Sequence, residues 1–277
     1  MSTAALRHEL GAFVGFLERQ RNLYRRFWAW EAVWFVYSMV SVMSIGYLAT
    51  GLAATGIGGG IDLRAIQLYL LAGSMLWSYL SLVFMEVAYA VGWERWEGTI
   101  EYTFMAPVKR ATHLLGICVF SVIYGLARTA VVVAVSLLVF HVDLSHADLA
   151  AAGLVLAAAT VPLIGLGILI AILPLLAPEK GEQMSTALQG LFLLVSGVYY
   201  PVSVLPLPLQ AVGVLSPLTY TLSAIRDALL HRAHAGALLP QIGLLLLMGV
   251  LLIPAALWLF SLAERRAKRL GTLKRSG

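Results

Sequence analysis

Charge is what this sequence has least of. Of its 277 residues, 12% are charged and 60% are hydrophobic, with a mean hydropathy of +0.87. A soluble domain typically carries about a quarter charged residues, so a soluble globular protein is excluded. The strict apolar–polar alternation of a transmembrane barrel is missing as well, whereas several apolar runs reach the roughly 20 residues a helix needs to cross the hydrocarbon core. The chain therefore reads as an all-α polytopic membrane protein. Cysteine is nearly absent: Cys118 stands alone in an apolar run, cannot form an internal disulfide, and reads as a small apolar packing residue. No G-x-x-x-x-G-K-[ST] phosphate loop occurs. No Ser/His/Asp or Cys/His arrangement stands out, so no catalytic site is expected. The histidines at 8, 113, 141, 146, 231 and 234 do not form a metal set; His231 and His234 are close but lack further ligands.

What charge there is has a pattern. The net charge of +5 could suggest nucleic acid, but the bases cluster in three places. These are residues 1–30, the segment 93–112, and a tail with Arg265, Arg266, Lys268, Arg269, Lys274 and Arg275. The other loops hold few, among them Arg64, Arg226 and Arg232. By the positive-inside rule the rich segments face the cytoplasm, which places both termini inside and requires an even number of crossings. The arginines spread through the first 26 residues leave no uninterrupted apolar core for a cleavable signal peptide.

Periodicity then divides the chain. Residues 4–30 carry Leu6, Leu10, Phe13, Leu17, Tyr24 and Trp28 on one face and arginines with Glu18 opposite, the pattern of an amphipathic helix in the cytoplasmic interface, its bases near anionic headgroups. Apolar spans are expected at 32–54, 66–91, 114–140, 149–173 and 236–263. A glycine-rich outer loop at 56–60 follows the first. Pro174 and Pro178 are expected to end the fourth. The apolar run at 184–200 is short for a full crossing, and Pro201, Pro206, Pro208 and Pro217 then break the chain without adding charge. Broken backbone at membrane depth must be shielded by protein, so a fifth span followed by a re-entrant or outer helical hairpin over 201–235 is expected. Ser216 and Pro217 are the expected cap and first turn of a helix at 218–230. The reading is six spans in one transmembrane domain, closed by a basic tail at 264–277.

Residues 93–112 differ from everything around them. Glu94, Glu97 and Glu101 recur at helical spacing and are expected to form one acidic stripe, with Trp93, Trp96, Ile100 and Phe104 on the other side. Three glutamates in eight residues do not face lipid. A short amphipathic helix between two spans suits contact with a soluble partner.

Three stretches carry a family resemblance. They are Glu94-Arg95-Trp96-Glu97-Gly98-Thr99-Ile100-Glu101 with Ala106-Pro107 and Lys109-Arg110; Ser196-Gly197-Val198-Tyr199-Tyr200-Pro201-Val202-Ser203-Val204-Leu205-Pro206; and Leu215-Ser216-Pro217-Leu218-Thr219-Tyr220 with Ile225-Arg226. In this order and spacing the chain resembles the ABC-2 type permeases, the membrane subunits of ATP-driven exporters. It departs from them at Tyr102 and Phe104, where the family often has leucines, and at Ser216, where it often has asparagine.

The resemblance implies two permease chains, a homodimer or a related heterodimer, paired with two copies of a separate cytoplasmic ATPase that binds ATP and Mg. It implies that Glu94, Arg95, Trp96, Glu97, Gly98, Thr99, Glu101, Ala106 and Pro107 form the ATPase-coupling segment, and it places the fifth helix beside the transport path. There Gln189, Phe192, Ser196 and Tyr199 recur at near-helical spacing, joined by Tyr200, and could hold an amphipathic substrate by stacking and hydrogen bonding or could serve helix packing. Arg128, near the middle of the third span, is a second path candidate; pairing with Glu86 or with backbone carbonyls is the alternative. The expected function is export of a hydrophobic or amphipathic, drug- or lipid-like substrate across the cell membrane. Export of polysaccharide or lipid-linked glycan is the alternative. An ion-coupled secondary transporter is a further one, but it would need more embedded acid than Glu86 and the inverted repeats that are not found. No nucleic-acid partner is expected; membrane lipids are.

Overall fold

The computed structural model describes residues 3–54, 63–141, 147–177, 179–230 and 233–271. Among them every regular element is helical. Helix α1 (Thr3–Arg26) turns at Phe27 into α2 (Trp28–Ala54). Then come α3 (Leu63–Trp96), the short α4 (Ile100–Met105) and α5 (Arg110–Phe140), which stops at His141 in the left-handed region (φ 48°). Asp148 caps α6 (Leu149–Ile170) by accepting from the Ala151 N–H at 2.8 Å. At Ala171, which keeps a helical backbone, α6 passes into α7 (Ile172–Leu176), so the expected fourth span is one apolar stretch and Pro174 lies inside its last turn. Pro178 and the glycine-rich loop at 56–60 fall outside the described residues.

Five of these helices are long and apolar enough to cross a membrane: Trp28–Leu52, Ile66–Trp96, Arg110–Phe140, Leu149–Leu176 and Ala235–Arg269. This is a polytopic membrane protein. The expected fifth crossing is instead α8 (Gly181–Val195), whose 15 residues extend about 22 Å, short of the roughly 30 Å hydrocarbon core. A 3-10 turn at Val202–Val204, α9 (Leu207–Leu215) and α10 (Pro217–Leu230) follow, and α11 (Ala235–Arg269) closes the described chain. Ser216 precedes α10 as expected, but its hydroxyl lies 3.1 Å from that of Ser196. The proline alone sets the first turn.

Helix α6 is apolar all round and is the centre of the bundle. It packs on α11, α3 and α10, with Val155, Ala159 and Leu163 buried. Lipid gives packed helices no hydrophobic gain over exposure, so close approach through small residues carries the association. Gly249 of α11 lies against Val161 and Pro162, and Gly167 lies against Phe84 and Val87 of α3. A Cβ at Gly249 would stand 2.5 Å from Val161 Cγ1 and 2.9 Å from the Pro162 nitrogen. Gly249→Ala is expected to destabilise the bundle by about 1–3 kcal/mol, as overpacking does. Thermal unfolding in detergent should show it, with Gly153→Ala unchanged because nothing stands within 4 Å there.

Candidate functional site

The segment after α3 is shaped by one turn and three inward anchors. Helix α3 ends at Trp96; Gly98, at φ +74°, reverses the chain, and the Thr99 N–H returns to the Glu94 carbonyl at 2.9 Å. Glycine reaches that left-handed conformation without the Cβ penalty. Helix α4 then lays Ile100 and Phe104 into a buried cluster with Val91, Leu114, Leu175 and Phe260. Arg95 folds back and donates to the Leu175 carbonyl, with Pro174 O at 3.4 Å, closing the end of α7.

At the other end of α4, Arg110 donates to the carbonyls of Thr103 (2.8 Å) and Phe104 (2.5 Å) and stacks on the Phe104 ring. The same guanidinium meets Glu264 of α11 at 3.1 Å, and Lys268 meets that carboxylate at 2.6 Å.

Glu94 is the third anchor. Its carboxylate is 2% exposed and receives Arg19 of α1 and, at 3.0 Å, His113 of α5. Further along α1, Glu9 accepts from Thr112, and His8 lies 3.3 Å from the Pro107 carbonyl. Helix α1 is thus strapped along the whole segment. Its expected apolar face is divided: Tyr24 packs on Phe120 and Tyr124 of α5, while Leu6 and Leu10 stay exposed.

These anchors correct the expected stripe. Glu94 is turned inward while Glu97 is exposed, and Glu101 is half-buried; the three do not share a face. The reason is the reversal at Gly98, which ends one helix and starts another, so a single helical period does not run through. For the same reason Trp96, 63% exposed, does not join Ile100 and Phe104 in the core. What the segment presents outward is Trp96, Glu97, Tyr102 (78% exposed), Met105 (80%) and Pro107. Gly98, Thr99 and Ala106 are half-buried between the two sides.

The second group of expected residues is scattered rather than aligned. Phe192 packs on Phe84 at 5.8 Å, Ser196 is buried beside Ser216, and Tyr199 packs on the core. The Tyr200 hydroxyl donates to the Leu194 carbonyl at 2.8 Å, and Gln189 is half-buried. The exposed side of α8 is polar over its first turns, with Glu182, Gln183 and Thr186, and apolar beyond them, with Leu191 and Leu194. Arg128 donates to the Trp34 carbonyl of α2 at 2.6 Å and lies over Phe35. Near it Tyr124 donates to Glu31 at 2.8 Å. The Tyr24 hydroxyl bonds Glu86; burial and then that carboxylate push it well above its ordinary pKa, so it stays a donor.

At the far end, the Ala151 N–H first and His234 second hold the Asp148 carboxyl below its usual range. No group of His, Cys, Asp and Glu among the described residues could hold a metal ion; His231 lies outside them.

A family model described as "ABC-2 type transporter" matches residues 12–230, from the middle of α1 to the end of α10. The chain belongs to the ABC-2 type transporter family. No curated protein matches it. Within this ABC-2 membrane domain, Arg19 and His113 had no signal in the sequence, because each acts through Glu94, at least 19 positions away. Removing Glu94 would leave Arg19 and His113 facing an empty, buried site. Glu94→Ala is expected to cost about 3 kcal/mol, as breaking a buried ion pair does, and to lower the melting temperature in detergent. Glu97→Ala should leave it unchanged.

Proposed function

We propose that this chain is the permease subunit of an ABC exporter, driven by a separate cytoplasmic ATPase that binds ATP and Mg. The observation that carries the reading is the outward edge of the 93–112 segment. Large apolar side chains, Tyr102 and Met105, stand almost fully exposed beside Glu97, while Glu94, Arg95, Ile100 and Phe104 pin the opposite side to the bundle. An exposed aromatic and apolar edge on rigidly held backbone suits a protein groove, since solvent alone favours neither.

In this reading ATP-driven closure of two ATPase subunits pushes the segment. Its anchors on α1, α5, α7 and α11 carry the displacement into the bundle. The chain works as a pair of permeases, homodimeric or heterodimeric. Helix α8 and the following hairpin complete a sixth, interrupted crossing, with 201–235 on the outer side. Residues 4–30 lie on the cytoplasmic membrane surface, and 264–277 form a cytoplasmic tail of the cell-membrane protein. The exposed Leu191 and Leu194 in the second half of α8, after the polar Glu182, Gln183 and Thr186, favour a hydrophobic or amphipathic substrate.

The test is purification of the tagged chain in mild detergent from its own host. A near-stoichiometric ATPase carrying a phosphate-binding loop is expected, and its ATP turnover should rise with amphipathic rather than glycan substrates. Glu97→Lys should reduce the co-purified ATPase about tenfold, the equivalent of roughly 1.4 kcal/mol, at an unchanged melting temperature. A chain that comes down alone, folded and repeatedly, would refute the reading.

A further inference from the structure

Helix α8 ends at Val195 inside protein, so its last carbonyls and those of the turn after it need donors that neither water nor lipid supplies. Local donors serve the first of them. The Ser196 N–H takes Phe192 O at 3.0 Å, and the Tyr200 hydroxyl takes Leu194 O at 2.8 Å. Gly197 then sits at φ +74°, which turns the chain out of the helical path. Two carbonyls of this turn, of Gly197 and the fully buried Val198, have their donor far away in sequence. It is Arg226 of α10, which donates to Gly197 O at 2.8 Å and Val198 O at 2.5 Å.

The same guanidinium lies 3.6 Å from the ring centroid of Tyr69 on α3. Gly73, one turn further along α3, makes room for the whole arrangement. A Cβ there would stand 2.1 Å from Val198 O and 2.5 Å from an Arg226 nitrogen. Three elements therefore meet at one buried side chain: the break after α8, helix α10 and the first half of α3. A planar fork with donors on two nitrogens can hold two adjacent carbonyls and an aromatic face together, which an ammonium cannot.

We propose that Arg226 is the positioning residue of the hairpin between α8 and α11. It locks the Gly197–Val198 break against Tyr69 and Gly73, and the hairpin moves only when this guanidinium gives up its two carbonyls. Calling that movement gating rests on the permease reading; the lock itself does not.

The test follows the accessibility of residue 198. In a Cys118→Ala background, Val198→Cys introduces a single thiol at a fully buried position. Its maleimide labelling rate is measured on the full chain in permeabilised membranes from its own host, so that both faces are reached. Labelling should be slow with Arg226 present. Arg226→Met should speed it about tenfold or more, the scale of one charge-assisted hydrogen bond. Arg226→Lys should fall between, because it restores the charge and one donor group. A role in packing alone predicts no advantage of lysine over methionine, and that result would overturn the proposal.

Tyr69→Leu, which removes the stacked ring and its hydroxyl but keeps Arg226, should also speed labelling. If Arg226→Met does not accumulate, an unchanged rate in Tyr69→Leu overturns the proposal by itself. Faster labelling in a chain that binds no ATPase would uphold the lock and refute the permease reading. Unchanged labelling in a chain that does bind one would refute the lock alone.

Discussion

A buried main-chain carbonyl at an interrupted helix end needs a donor, and in this protein arginine supplies it at three places, with tyrosine and threonine hydroxyls serving others. Arg95 serves the end of α7, Arg110 the end of α4, and Arg226 the break after α8. Arg128 reaches the Trp34 carbonyl on α2 in the same way. The guanidinium suits the task because it spreads one charge over five donors and is more weakly hydrated than an ammonium. A chain with little charge thus places it where irregular backbone would otherwise be left unpaired in a dry interior. The interruptions, and with them any movable part, are tolerated on that condition.

The same economy explains the division of labour in the 93–112 segment. Its inward residues are tied to four different helices, Ile100 and Phe104 by apolar packing and Glu94, Arg95 and Arg110 by polar or charged contacts of defined geometry. Its outward side chains Tyr102 and Met105 are 78% and 80% exposed. In the proposed reading, a segment held in this way would transmit displacement instead of absorbing it. Helix α1 takes part because Arg19 and Glu9 attach it to both ends of the segment, which makes the surface helix mechanically continuous with it.

Much of the fold was legible in advance. The long apolar runs became α2, α3, α5, the α6–α7 pair and α11, close to their expected limits, because each run is long enough that no other conformation satisfies its backbone in lipid. The proline-rich stretch became short helices and turns for the same reason. Less legible was which side of a helix faces where. Phe192, Ser196 and Tyr199 recur at helical spacing, yet they pack inward, because Phe84, Ser216 and the central bundle occupy that side. The spacing of the three glutamates was real, but the reversal at Gly98 divided it between two helices.

What the sequence determined by itself was class, order and family: hydrophobic length fixes which segments are helices in a membrane, and the motifs along them carry the family. What only the tertiary structure decided was the use of each charged side chain. Glu94 and Glu97 are three residues apart and chemically identical, yet one is a buried tie and the other lies open. That difference depends on Arg19 and His113, which no local pattern connects to position 94. Side chains brought together from distant parts of the chain meet only when the helices pack, so their pairing is decided at that step and no earlier.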